Sequence, residues 1–276
     1  MDPSKDKNYN YMKNLAKKNY KLDTFDRVNE GKFIENTKEL ELIGNEIINN
    51  FIKDKSLKIN FFIDICSAPG IYSKIILNKF PIITGIGISL PPEEGGVEYE
   101  IEESNFKKIY KNILEKKYKL EISKKLDLGI ASCVSYQNDA KKAFKLNNEL
   151  ILKSLYLILS NLNQDGNLII NMTMKNIHLA FNLINILNKY FKNYKLWKSI
   201  NVWGTKNTFY FFGYNFVERN SNKINDEINE LIEKIQNEKN ELYYKFLGTV
   251  EEYNTINFEM RKIYQVRINA WKKLIQ

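Results

Sequence analysis

The stretch Phe61–Ser73, FFIDICSAPGIYS, restricts what this chain can fold into more than any other part of it. Apolar residues run up to an acid, Asp64, and meet a Ser67-Ala68-Pro69-Gly70 turn that opens onto a helical segment. Proline fixes φ and removes a donor, and glycine reaches positive φ at no steric cost, so the pair ends a strand within a residue or two. Buried strand, tight loop and helix start, in that order, make the first unit of a nucleotide-type α/β sheet. There the loop sits at the carboxyl end of the strand and offers backbone to a ligand. The rest of the chain reads as the remainder of that sheet, with additions at both ends.

Upstream, Phe33, Leu40, Ile43, Ile47 and Phe51 fall at helical spacing, which predicts an amphipathic helix over Lys32–Lys53. Residues 59–65 form a buried strand and Ser73–Phe80 a short helix that ends before Pro81. Ile82–Ile88 is a second strand, closed by Leu90-Pro91-Pro92, since Pro-Pro cannot continue a central strand. Val97–Ile101 reads as a third strand and Asn105–Lys119 as a helix with a basic face. Leu126–Ala131 and Asn167–Asn171 are the fourth and fifth strands, with a long helix over Lys141–Leu162 between them. After a helix at Ile177–Phe191, Tyr194–Val202 and Phe209–Phe216 follow with no helix between, the mark of a hairpin added to a parallel sheet. Beyond Arg219, Ile224, Ile228, Leu231, Ile235 and Leu242 form a heptad-like stripe, followed by a second helix from Glu251 to Leu274. The expected organisation is a basic N-terminal arm (1–30), an α/β domain (31–217) and a C-terminal helical hairpin (218–276) that packs on the core.

The chain of 276 residues carries a formal net charge of +9. That favours a polyanionic partner, nucleic acid ahead of a membrane surface, and is equally the mark of a composition rich in Lys, Asn and Ile throughout. No apolar run approaches the roughly 18 residues a membrane-spanning helix needs. Two cysteines, Cys66 and Cys133, and a polar start argue against a disulfide scaffold and for a cytoplasmic or other reducing intracellular compartment, with both thiols as small packing residues. One histidine, His178, makes a zinc site implausible and leaves any Ser-His or Cys-His chemistry to that residue alone.

The residues Ile63-Asp64-Ile65-Cys66-Ser67-Ala68-Pro69-Gly70 resemble the first motif of the FtsJ-like RNA ribose 2′-O-methyltransferases, D-L-x-x-A-P-G-G. Leu126–Ala131, Asp165–Ile170 and Asn207–Phe211 resemble later elements of that family in the same order, so the likeness spans about residues 30–216. It implies a Rossmann-like methyltransferase sheet, S-adenosylmethionine as cofactor, and RNA as substrate, methylated at the cap or a ribose. Methyl-donor contacts then fall on Asp64, Cys66, Ser67, Ala68, Pro69 and Gly70, with Ser89 at the ribose position and Asn105 at the adenine side. Ser89 stands where an acid is usual, and Ile71 replaces the second glycine.

The family activates the 2′-hydroxyl with a Lys-Asp-Lys-Glu tetrad. Strand register assigns the first Lys to Lys32 or Lys38, and puts Ser132, Asn171 and Thr208 at the other three positions, all neutral; Lys175 is the nearest lysine to the third. Two outcomes follow: a methyltransferase with altered chemistry, or a subunit without turnover that binds RNA or stimulates a partner such as a capping enzyme or a polymerase component. Tyr72, Tyr136 and Trp203 are candidate base-stacking residues in a chain with 17 Tyr.

Overall fold

Strand β1 (Phe61–Ile65) is apolar on both faces apart from Asp64, which suits a strand with parallel neighbours on both edges and helices on both sides. It lies in the middle of a seven-stranded sheet of order β3–β2–β1–β4–β5–β7–β6. The computed structural model describes residues 1–19, 37–53, 57–115, 118–133, 140–217, 221–236 and 245–275. Along the chain, α1 (Lys7–Asn19) and α2 (Thr37–Ile52) precede β1, and α3 (Ile71–Lys79) leads to β2 (Thr84–Ser89) and β3 (Phe106–Tyr110). Then come β4 (Leu126–Ala131), α4 (Ala140–Leu159), β5 (Leu162–Thr173), α5 (Ile177–Tyr190), β6 (Phe191–Trp197), β7 (Thr208–Phe216), α6 (Ser221–Gln236) and α7 (Val250–Ile275). Strands β1 to β5 pair in parallel, and β7 runs antiparallel to both β5 and β6. The chain leaves β1 toward β2 and β3, then returns to lay β4 on the other side of β1, so the carboxyl ends of β1 and β4 flank the switch point where such sheets bind ligands.

Each face of the sheet buries its own core. On one, Ile43, Ile47 and Phe51 of α2 and Ile75 and Ile76 of α3 cover Phe62, Leu128, Ile130, Ile169 and Phe212. Phe51 stacks on Tyr214, with ring centroids 5.2 Å apart. On the other, α4 and α5 cover Ile63, Ile65, Ile170 and Phe211, and α1, α6 and α7 close over these helices. Among the described residues no helix is long and apolar enough to cross a membrane.

Three stretches differ from their expected form. Among the described residues of 105–119 there is no helix: Phe106–Tyr110 is the edge strand β3, with Phe106 turned into the core and Lys107 and Lys108 exposed, the charges that keep an edge from pairing with another chain. Val97–Ile101, expected as a strand, has no regular structure, nor have the two residues after it. The first residues of the expected arm are helical and docked: Met12 is fully buried, Tyr9 packs on Tyr264 of α7, and Asp6 pairs with Arg261 at 2.9 Å. The C-terminal helices pack on different neighbours, α6 on α4 and α7 on α1, and Trp271 of α7 is 1% exposed.

The cysteines are also corrected. Cys66 and Cys133 are joined by a disulfide, where free packing thiols were expected. They follow the ends of the adjacent strands β1 and β4, so residues 67 apart in sequence arrive with Cα atoms 5.0 Å apart. A crosslink over so long a loop constrains the unfolded chain strongly. Cys133→Ala is therefore expected to lower unfolding free energy by about 2–4 kcal/mol in urea denaturation. Addition of a reductant should bring the wild type down to the variant's level and leave the variant unchanged.

Candidate functional site

The loop after β1 is folded back on the sheet by its own amides. The N–H groups of Cys66 and Ser67 donate to the Ile88 carbonyl, Ala68 N–H donates to Ser89 Oγ at 2.7 Å, and Gly70 N–H donates to the Ser67 carbonyl at 2.6 Å. Ser89, expected at the ribose position, thus supports the loop from the end of β2. Gly70 has φ 105, a conformation that excludes most side chains, and it opens helix α3. A Cβ there would lie 2.7 Å from Ile101 Cγ2, so the space directly over the glycine is filled.

Asp64 sits beneath this loop and is 1% exposed. Its Oδ2 accepts from Ser73 Oγ of α3 at 2.8 Å, and Oδ1 is buried with no hydrogen-bond partner among the described residues. Burial pushes its carboxyl up to about 7, against a smaller opposing effect of the Ser73 bond. Beside it, Tyr99 bonds Ser67 Oγ through its hydroxyl at 2.6 Å and lies against Gly87, the residue of β2 paired with Asp64. A Cβ on Gly87 would stand 2.7 Å from that hydroxyl. Burial holds the Tyr99 phenol up at about 12, against the smaller opposing effect of its bonds to Ser67 and Ser89.

The other half of the carboxyl edge lies over β4, β5 and β7. Ala131 pairs with Ile170, Asn171 with Tyr210 and Thr173 with Thr208, so Ser132 and Asn171 are level and Thr208 is two pairs further out. All three lie at intermediate burial, and alternation puts Ser132 and Asn171 on the face that also carries Asp64 and Tyr210. Tyr210 is buried, and its phenol is raised well above its ordinary range by burial and by the Tyr72 hydroxyl beside it. Lys38, in the first turn of α2, and Lys175, in the turn after β5, are both exposed at this edge. Lys32 and Tyr136 lie outside the described residues.

Asn105 does not join the site. It precedes β3 at the amino edge of the sheet, where its amide donates to the Ile83 carbonyl at 2.7 Å and its own carbonyl accepts from Gly85. With 105–110 as a strand rather than a helix start, the residues at the carboxyl end of β3 are Tyr110 and Asn112. The Tyr110 hydroxyl bonds the Glu98 carboxylate, and the Asn112 amide donates to Glu94 at 3.2 Å.

The loop between β6 and β7, which carries Trp203, is tied down by two buried cationic side chains. Lys198, 3% exposed, donates to the carbonyls of Trp203, Lys206 and Thr208, each at 2.8 Å. Burial first, then the charges of Arg267 and Lys206, push its amine well below the ordinary lysine range. Arg267 of α7 donates to the Thr205 carbonyl at 2.6 Å and to Asn207 Oδ1 at 2.7 Å, while Glu46 of α2 accepts from Ser199 and Asn201. Neither Lys198 nor Arg267 stands out in the sequence, because one lysine among 42 basic residues carries no local signal of burial.

For S-adenosylmethionine the residues fit in kind: a carboxylate with an orphaned oxygen for an ammonium, small side chains at 67 to 70, and a helix start for a carboxylate. In space they do not fit as they stand, since Ile101 and Tyr99 occupy the face of the loop.

The family model for FtsJ-like methyltransferases matches residues 33–216. No curated protein matches the sequence. Among solved structures, the plantazolicin methyltransferase BpumL, in complex with a triazolic analogue and SAH, is 13% identical, covering 75% of this chain and 99% of its own, with a TM-score of 0.47. An O-methyltransferase family protein from Burkholderia thailandensis is 13% identical over 75% of this chain and 70% of its own, with a TM-score of 0.37. The sugar N-methyltransferase KedS8 from Streptoalloteichus is 10% identical with a TM-score of 0.32, and the chain spans 46% of its length.

The state of Asp64 has a measurable consequence. Its folded-state value of about 7 lies above that of an unfolded carboxyl, so the folded chain binds more protons and unfolding free energy falls as pH rises from about 4 to about 7. Asp64→Asn is expected to flatten that decline and to exceed the wild type at pH 8 by on the order of 3 kcal/mol, with little difference near pH 4. Urea denaturation at both pH values checks it; equal pH slopes would refute the buried, partly unbonded carboxyl.

Proposed function

The chain belongs to the FtsJ-like methyltransferase family, whose cofactor is S-adenosylmethionine, and we propose that it methylates RNA at an atom that brings its own lone pair, a ring nitrogen of a base rather than a ribose hydroxyl. The observation that carries this is the neutrality of Ser132, Asn171 and Thr208 at the ends of β4, β5 and β7. A ribose hydroxyl must lose its proton to attack a sulfonium methyl, and neither an amide nor an alcohol takes that proton at neutral pH. A ring nitrogen attacks without prior deprotonation, so its acceptor site needs hydrogen-bonding groups that orient the base. Ser132, Asn171 and Thr208 supply donors and acceptors for that purpose. Asp64 and the loop of Cys66 to Gly70 are the residues that would hold the cofactor, which supplies an electrophilic methyl group.

RNA as the substrate class is supported by the distribution of charge along the carboxyl edge. The residues after β2 include Glu93, Glu94, Glu98 and Glu100, whereas Lys38, Lys142, Lys175 and Lys206 belong to segments that begin or end over β4, β5 and β7. A phosphate backbone is attracted to the second side, whereas on the first the glutamates offset Lys107, Lys108 and Lys111 of β3 and the turn after it. One observation favours the alternative of a subunit without turnover that stimulates a partner such as a capping enzyme: Ile101 fills the space over Gly70.

The test is transfer of labelled methyl from S-adenosylmethionine to capped and uncapped RNA, followed by nuclease digestion to separate methylated bases from methylated riboses. Label is expected on a base and is expected to be lost in Gly70→Asp, whose side chain would enter the loop. Label on ribose overturns the base assignment. No label on any RNA, together with acceleration of a partner's reaction, establishes the alternative. RNA affinity should fall with salt, and Lys175→Ala should reduce the slope of log affinity against log salt by about 1.

A further inference from the structure

The face of the cofactor loop is occupied by another part of the same chain. Residues 97–103 cross it without regular structure, and their side chains alternate: Tyr99 and Ile101 are 9% and 1% exposed, while Glu98, Glu100 and Glu102 point to solvent. The two inward residues are its anchors. Ile101 stands where a side chain on Gly70 would be, and the Tyr99 hydroxyl bonds Ser67 Oγ at 2.6 Å and abuts Gly87. One backbone bond, Glu100 N–H to the Pro69 carbonyl at 2.9 Å, ties the segment to the loop directly. It is joined to β2 through Pro91-Pro92 and Gly95-Gly96, outside the sheet.

We infer that Val97–Glu103 is a displaceable cover seated on the cofactor loop by Tyr99 and Ile101, and that S-adenosylmethionine binds when the cover lifts. The inference rests on the reading of Cys66–Gly70 as the cofactor loop. The arrangement suits reversible lifting because the segment gives up no strand or helix hydrogen bonds when it moves, and its ties to β3 run through one exposed side chain, the Tyr110 hydroxyl, which accepts from Tyr99 N–H at 3.2 Å and donates to Glu98. Lifting uncovers the Phe106 ring beside Gly87 and, next to it, polar groups matched to the cofactor: the free oxygen of Asp64 for an ammonium and Ser67 Oγ for a hydroxyl. With the cover down, Asp64 Oδ1 has no partner among the described residues, so the closed form leaves unmet a bond that the ligand would make.

A cover lowers apparent affinity by the fraction of chains that are open, so unseating it raises affinity without adding a contact. The experiment is calorimetric titration of the full chain with S-adenosylhomocysteine, in the wild type, Ile101→Ala and Tyr99→Phe. Ile101→Ala is expected to bind at least about ten-fold more tightly than the wild type, and Tyr99→Phe, which loses the hydroxyl's bonds to Ser67 and Ser89 and keeps the ring, about three-fold. In the wild type, a glutamate-specific protease should cut between Glu98 and Glu103 several-fold faster when the ligand is present. If Ile101→Ala does not fold, as judged by its circular dichroism, Tyr99→Phe and the protease rate decide the matter. Affinities equal within about two-fold in all three proteins, with an unchanged cutting rate, overturn the cover and leave the cofactor loop standing. No binding by any of them at millimolar ligand overturns both the cover and the cofactor reading.

Discussion

The carboxyl edge depends on one placement, that of β1 between β2 and β4. From β2 the loop receives the Ile88 carbonyl and Ser89 Oγ, which together take three of its amide protons. From β4 it receives the disulfide to Cys133. From its own helix it receives Ser73, which bonds the carboxylate that β1 carries in its last turn of alternation. A loop held from three directions has a fixed shape, and a fixed shape is what a ligand needs from backbone groups that cannot swing to meet it. The same placement makes Asp64 costly. A strand flanked on both edges and covered on both faces has no water for a carboxylate, and the charge is tolerated there only through Ser73 or through something bound.

The far side of the edge is built by a different means. Between β6 and β7 the chain makes a loop whose carbonyls converge on one buried ammonium, Lys198, and whose outer turn is clamped by Arg267 from α7. An isolated ammonium is expensive to bury, and three carbonyls at hydrogen-bond distance, one for each proton an ammonium has to give, offset part of that cost. The C-terminal helix thereby helps to hold the loop that precedes Thr208. Because α7 is held in turn by α1 through Tyr9, Asp6 and Arg261, both ends of the chain share in fixing the loop beside Thr208.

Much of this was legible in the sequence where burial is two-sided. The apolar runs at 61–65, 126–131 and 209–216 and the Pro-Gly turn permit few readings, and strand counting brought Ser132, Asn171 and Thr208 to one edge. The errors fall where burial is one-sided or long in range. Phe106–Tyr110 shows one inward aromatic among lysines, a pattern that a basic helix face and an edge strand share. That misreading carried Asn105 to the wrong edge. Val97–Ile101 does alternate, as a strand would, but its buried side rests on a loop instead of extending the sheet. Alternation reports that one side is covered and says nothing of what covers it. The bond between Cys66 and Cys133 is set by the adjacency of β1 and β4, which no spacing of two cysteines encodes.

The cover and the carboxylate beneath it constrain each other. With Tyr99 and Ile101 seated, Asp64 faces Ser73 on α3 and the Tyr99 hydroxyl, both uncharged at neutral pH, and its protonated form is favoured. Lifting the segment admits water, which favours the ionised form, and a bound ammonium favours it further. Closed and open forms therefore differ in protons held as well as in shape. Raising the pH through about 7 penalises the closed form alone, because only there must the charge be carried without solvent. Affinity for S-adenosylhomocysteine should accordingly rise from pH 6 to pH 8 in the wild type, and the rise should be smaller in Ile101→Ala, in which the open form already dominates. A pH dependence of the same size in both proteins would mean that Asp64 titrates independently of the segment above it.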